Sequence, residues 1–91
     1  MGLLMTIRIE FYGIPKQRAG VEAIDVEAAT LGEAFQQLSE QLPQFAAACL
    51  AKGRLQPSCL ANINGENFTT DIQAPLESGD TVLILSADAG G

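Results

Sequence analysis

A chain of 91 residues with 47% hydrophobic and 18% charged side chains has the balance of one globular domain and no room for a second core. Eleven acids against five bases leave a net charge of −6, and no basic stripe exists to follow a phosphate backbone, which argues against nucleic acid as a partner. No apolar run approaches the roughly 20 residues of a membrane span, histidine is absent, and Cys49 and Cys59 match no zinc or iron–sulfur ligand spacing.

Met1-Gly2-Leu3-Leu4-Met5 carries no basic residue and does not read as a signal peptide. The expectation is a cytoplasmic protein that does not engage a membrane and holds its two cysteines reduced and buried.

Thr6 to Tyr12 alternates polar and apolar, the period of a half-buried strand with Ile7, Ile9 and Phe11 facing a core. Gly13-Ile14-Pro15 breaks the run, and Lys16 to Gly20 reads as a polar turn. Ala23 to Ala28 alternates again, with Ile24, Val26 and Ala28 inward, so the two strands pair as an antiparallel hairpin. Thr30-Leu31-Gly32-Glu33 is a capping box, in which the Thr30 hydroxyl accepts from the Glu33 N–H and the Glu33 carboxylate reaches back to the Thr30 N–H. Leu31, Ala34, Phe35, Leu38 and Leu42 then recur at helical spacing until Pro43 ends or kinks the helix. Gln44 to Lys52 reads as a second, shorter helix, with Gly53 at its left-handed cap.

Leu60 to Asn64 is a strand, Asn64-Gly65 a hairpin turn, and Glu66 to Phe68 the short return. Thr69 to Ala74 is a polar connector, and Pro75 to Asp80 is a turn in which Asp80 binds nearby backbone N–H groups. Thr81 to Leu85 is the last strand, apolar on both parities, as befits a central strand or one with an exposed sticky face. The whole is an α+β domain over residues 1–91: a mixed sheet of four to five strands, one main helix across one face and a second short helix.

Beyond the last strand the chain runs through small residues, a flexible tail over 87–91, and stops on Gly90-Gly91. Glycine has no Cβ, so Gly90 and Gly91 could thread a channel too narrow for side chains and present the terminal carboxylate to an enzyme. The candidate reactive group is the Gly91 carboxylate, with Gly90 and Ala89 as its leader. Leu83 and Leu85 point away from Val82 and Ile84 and share a face with Arg8 and Tyr12. That face is either a docking patch or is covered by a neighbouring loop.

The element order is that of the β-grasp, or ubiquitin-like, fold. With Ile7 to Gly13, Thr30 to Ala34, Ala61 to Gly65, Pro75 to Val82 and the terminal Gly90-Gly91, the chain resembles the MoaD/ThiS family of small sulfur carriers over nearly its whole length. Within that family, the extra helix and loop between Pro43 and Ser58 resemble the MoaD branch, the small subunits of molybdopterin synthase, more than the shorter ThiS branch. The tail departs from many MoaD-like tails in lacking proline before the diglycine.

The resemblance implies that an activating enzyme of the MoeB or ThiF type adenylates the Gly91 carboxylate with ATP. A persulfide sulfur then displaces AMP and leaves a thiocarboxylate, and the tail enters a MoaE-like large subunit that passes the sulfur to a pterin precursor. The carrier binds no cofactor or metal and is not itself an enzyme; ATP belongs to the partner. Relatives serve thiamine, cysteine or tRNA thiolation. A ubiquitin-like modifier, or a β-grasp binding module with an idle terminus, would use the same body differently.

Overall fold

The computed structural model describes residues 5–87. In chain order the elements are β1 (Thr6–Phe11), α1 (Ile14–Ala19), β2 (Ala23–Glu27), α2 (Leu31–Gln41) and α3 (Pro43–Cys49). They continue with β3 (Leu50–Ala51), β4 (Arg54–Leu55), β5 (Cys59–Ile63), β6 (Asn67–Phe68) and β7 (Thr81–Ser86). Five strands form one sheet in the order β2-β1-β7-β5-β6, and β3 and β4 form a separate ribbon. The last strand thus inserts at the centre, parallel to β1 and antiparallel to β5. Its apolar run on both parities follows from that position.

The β1 alternation holds as read: Ile7, Ile9 and Phe11 are buried and meet Val82 and Ile84 of β7 beneath α2. From α2 come Leu31, Ala34, Phe35 and Leu38, all buried on the one stripe that helical spacing produces. The Thr30 hydroxyl accepts from the Glu33 N–H at 3.2 Å, as expected of a cap. The Glu33 carboxylate, however, accepts from the Ala29 N–H at 2.8 Å rather than from Thr30. Leu42 leaves the helical region at φ −130°, ψ 72°, the α conformation being disfavoured before a proline, so it ends α2 and starts α3 in one step.

Three parts of the sequence reading are corrected. Residues 16–19 lie in a helix, α1, with Gly20 as its cap, rather than in a polar turn. Pro15 sits in its first turn, where the missing N–H costs nothing, and Gly20 closes it at φ 76° with its N–H donating to the Lys16 carbonyl at 3.0 Å. The same Pro and Gly that mark turns also bracket helices. The count of one main and one short helix therefore becomes three helices.

The second helix ends at Cys49, not Lys52. Lys52 at φ 55° and Gly53 at φ 78° are the two central residues of the β3–β4 hairpin, with Ala51 opposite Arg54. Burial of Leu50 and its pairing with Leu55 pull that segment out of the helix.

Candidate functional site

The site is assembled around the exit of β7. Because β7 runs parallel to β1, its last residues emerge where β1 gives way to α1. Tyr12 donates its N–H to the Ile84 carbonyl at 2.9 Å, and Ala87 donates its N–H to the Ser58 carbonyl at 2.7 Å. Gly13, at φ 64°, lets the chain turn here; a Cβ on it would lie 3.8 Å from Ser86 Cβ. The backbone leading to the tail is therefore held from both sides as far as Ala87. Ala89, Gly90 and Gly91, the tail and reactive carboxylate named from the sequence, lie outside the described residues.

The structure brings the other four candidates onto one face. Cross-strand partners share a face, and the ladders align Arg8 with Thr81, Glu10 with Leu83, and Leu60 with Leu85. Arg8, Tyr12, Leu83 and Leu85 consequently sit on the side of the sheet opposite α2. Leu83 and Leu85 are half-buried, and Tyr12 is 45% exposed. Leu60 on β5 and Phe68 on β6, the latter 63% exposed, extend the apolar band across the sheet.

The sequence reading did not single out Glu10, which joins the polar part of this face. Arg8 Nε donates to Glu10 Oε2 at 2.7 Å, and the Tyr12 hydroxyl donates to Glu10 Oε1 at 2.6 Å. The hydrogen bond from Tyr12, then that from Arg8, lowers the Glu10 pKa below the ordinary glutamate value. The same carboxylate raises the Tyr12 and Arg8 pKa values, because each proton is held by an anion. The signal for Glu10 was present in the alternation of β1, which puts residues 8, 10 and 12 on one parity.

Among the described residues no group of three or more His, Cys, Asp and Glu could hold a metal ion, and no helix is long and apolar enough to cross a membrane. Among the described residues the exit of β7 at Ala87 thus lies beside a sheet face that is partly apolar and partly charged.

Solved structures reproduce this architecture. Small archaeal modifier protein 1 from Methanosarcina acetivorans is 19% identical with a TM-score of 0.81, covering 99% of this chain and 100% of that one. The BexX/CysO complex of Amycolatopsis orientalis contains a match at 20% identity and TM-score 0.76, covering 93% and 99%. The complex of subunits 1 and 2 of molybdopterin-converting factor from Helicobacter pylori contains one at 22% and 0.68, covering 96% and 100%. These likenesses show the ubiquitin-like β-grasp fold. By sequence, no curated protein matches the chain. Residues 9–91 match the ThiS family, which takes in all but the first eight positions, and the chain accordingly belongs to the ThiS family of ubiquitin-like sulfur carriers.

Proposed function

We propose that this protein is a sulfur carrier that works through its Gly91 carboxylate, in molybdopterin biosynthesis. The observation that carries the proposal is the family match through residue 91 on a body whose central strand ends beside a partly apolar sheet face. A carboxylate is a poor electrophile. Its oxygen attacks the α-phosphorus of ATP on an activating enzyme of the MoeB or ThiF type and expels pyrophosphate, giving an acyl adenylate. A persulfide sulfur then attacks the carbonyl carbon and expels AMP, and a thiol attacks the donor's sulfur in the resulting acyl disulfide, so that the sulfur–sulfur bond breaks, the thiocarboxylate leaves and the donor ends as a disulfide.

The described part of the chain supplies rigidity and recognition to this sequence, while ATP and the catalytic groups belong to the partner. A MoaE-like large subunit receives the loaded tail. The solved pairing of subunits 1 and 2 of molybdopterin-converting factor supports that choice of acceptor. The same loaded tail would serve thiamine, cysteine or tRNA thiolation with another acceptor. Unloaded adenylate captured by a lysine would give a ubiquitin-like modifier.

Intact-mass measurement of the chain purified from its own host tests the reading. A fraction carrying one sulfur in place of one terminal oxygen, lost when Gly91 is deleted, is the expected result. Higher-mass conjugates that vanish on the same deletion would assign the modifier role instead. A mass unchanged in either direction, with host sulfur metabolism indifferent to the deletion, would overturn the carrier assignment.

A further inference from the structure

Cys49 and Cys59 have no part in the carboxylate chemistry, yet they meet at the root of the strand that delivers the tail. Cys49 is the last residue of α3 and Cys59 the first of β5. Their exposures are 1% and 4%. A backbone relay fixes the loop between them, with the Gln56 N–H donating to the Cys49 carbonyl at 2.9 Å and the Cys59 N–H donating to the Gln56 carbonyl at 2.9 Å. Both are free thiols. Both line one cavity of about 240 Å³, whose wall also includes Pro15, Arg18, Ser58 and Ser86.

The surroundings separate the two sulfurs in role. Burial, then the contact with Cys59, pushes the Cys49 thiol up to about 12, so it stays protonated at neutral pH. Cys59 is the less enclosed of the pair, and the Ser58 hydroxyl lies 3.8 Å from its sulfur. Cys59 also stands opposite Ser86 in the β5–β7 ladder, and Ser58 accepts the Ala87 N–H. A covalent link from Cys59 to α3 would therefore tie the third helix to the strand that grips the end of β7.

We propose that Cys49 and Cys59 are a modification site, a dithiol that a small neutral peroxide converts to an intramolecular disulfide at the base of the C-terminal tail. The Cys59 sulfur attacks one peroxide oxygen, the oxygen–oxygen bond breaks, and the departing hydroxide leaves as water with the Cys59 proton. The resulting sulfenic acid is attacked by the Cys49 sulfur; the sulfur–oxygen bond breaks, the sulfur–sulfur bond forms, and a second water carries off the Cys49 proton. Two thiols lose two electrons in all, and the peroxide is reduced to two waters. A cavity of this volume, lined by both sulfurs, has room for an oxidant of nearly water size.

The test is peroxide titration of the folded, full-length chain, read by intact mass and by peptide mapping without reductant. The expected product has lost two hydrogens, contains a Cys49–Cys59 cross-linked peptide, reverts with dithiothreitol, and melts roughly 10 °C higher because a short loop is closed in the unfolded chain. In Cys49→Ser the reaction should stop at a Cys59 sulfenic acid that dimedone traps. Deleting Gly91 should leave the cross-link unaffected, which separates this proposal from the carrier function. Oxygen addition without the cross-link, disulfides between chains, or thiols inert until the protein unfolds would each overturn it.

Discussion

The Tyr12 hydroxyl gives its proton to a 2.6 Å hydrogen bond with Glu10, two residues back on the same face of β1. Arg8 occupies the other carboxylate oxygen at 2.7 Å, so the anion is engaged from both ends. Ionising Tyr12 would break one of these bonds and set two negative charges side by side, which is why its pKa lies above the ordinary 10.0.

That relationship can be read directly, because Tyr12 is the single tyrosine and the chain has no tryptophan. Phenolate absorbance should show a midpoint above that of a free tyrosine, and Glu10→Gln should bring it down toward the ordinary value. By linkage, a raised folded-state pKa contributes stability that is present below the unfolded value and lost as pH rises through the folded one. Alkaline unfolding should therefore begin earlier relative to the wild type's own neutral-pH stability in the wild type than in Tyr12→Phe. Identical phenolate midpoints in wild type and Glu10→Gln would remove the hydrogen bond from the account.

Phe45 anchors the third helix. Its ring is fully buried and meets Phe11 edge-on, with centroids 5.1 Å apart and an interplanar angle of 62°. Phe45→Ala should cost about 3–5 kcal/mol in urea unfolding, since a large cavity opens beside β1. Phe45→Leu should cost less than half of that by refilling most of the volume. A loss under 1 kcal/mol (roughly what an exposed site shows) would mean that α3 is not part of the cooperative core.

Asn64 and Asp80 clasp the end of the sheet remote from the tail. Asn64 Nδ2 donates to Asp80 Oδ1 at 3.0 Å, the Thr81 N–H donates to Asn64 Oδ1 at 2.9 Å, and the Glu77 N–H donates to Asp80 Oδ2 at 2.8 Å. Asn64 also holds φ 59°, the left-handed region. Asn64→Gly should lose the clasp but keep the turn, while Asn64→Ala should be worse by about 1–2 kcal/mol because an L side chain is strained there. Asp80→Ala should cost about 1.5–3 kcal/mol from hydrogen bonds to a charged acceptor. Equal stabilities for Asn64→Gly and Asn64→Ala would show that the turn relaxes to another conformation.

Leu85 lies opposite Leu60 on the face read as a docking surface. Leu85→Asp places a charge in that half-buried band and should raise the carrier concentration needed for half-maximal adenylation by roughly tenfold or more, as loss of an interface anchor does. Circular dichroism should show the fold retained. Unchanged adenylation by a folded Leu85→Asp chain would move the docking surface elsewhere.

Local patterning carried a good part of this. The alternation of residues 6–12, the stripe Leu31-Ala34-Phe35-Leu38 and the Thr30 cap are each dictated by neighbours within a few positions, and each stands in the structure as the chain order implies. The chain also turns at Asn64-Gly65, but Ile63 pairs with Asn67, so Glu66 belongs to the turn and the return strand is only Asn67–Phe68. The face shared by Arg8, Tyr12, Leu83 and Leu85 was also legible, because side chains on a strand alternate with a period of two. Residues 14–20 and 50–55 were misread because Pro, Gly and basic residues punctuate helices and turns alike. Burial of Pro15 and the pairing of Leu50 with Leu55 settle which they are.

The sequence by itself thus determined the main strands, the principal helix, most core-facing residues and the family resemblance, since these depend on periodicity and short motifs. Only the tertiary structure decided that β7 inserts between β1 and β5, that Glu10 is shared by Arg8 and Tyr12, and that Cys49 and Cys59, ten positions apart, line one cavity together with Ser86. Those are contacts between segments brought together by the collapse of a common core, and no local pattern in the chain encodes the distance between them.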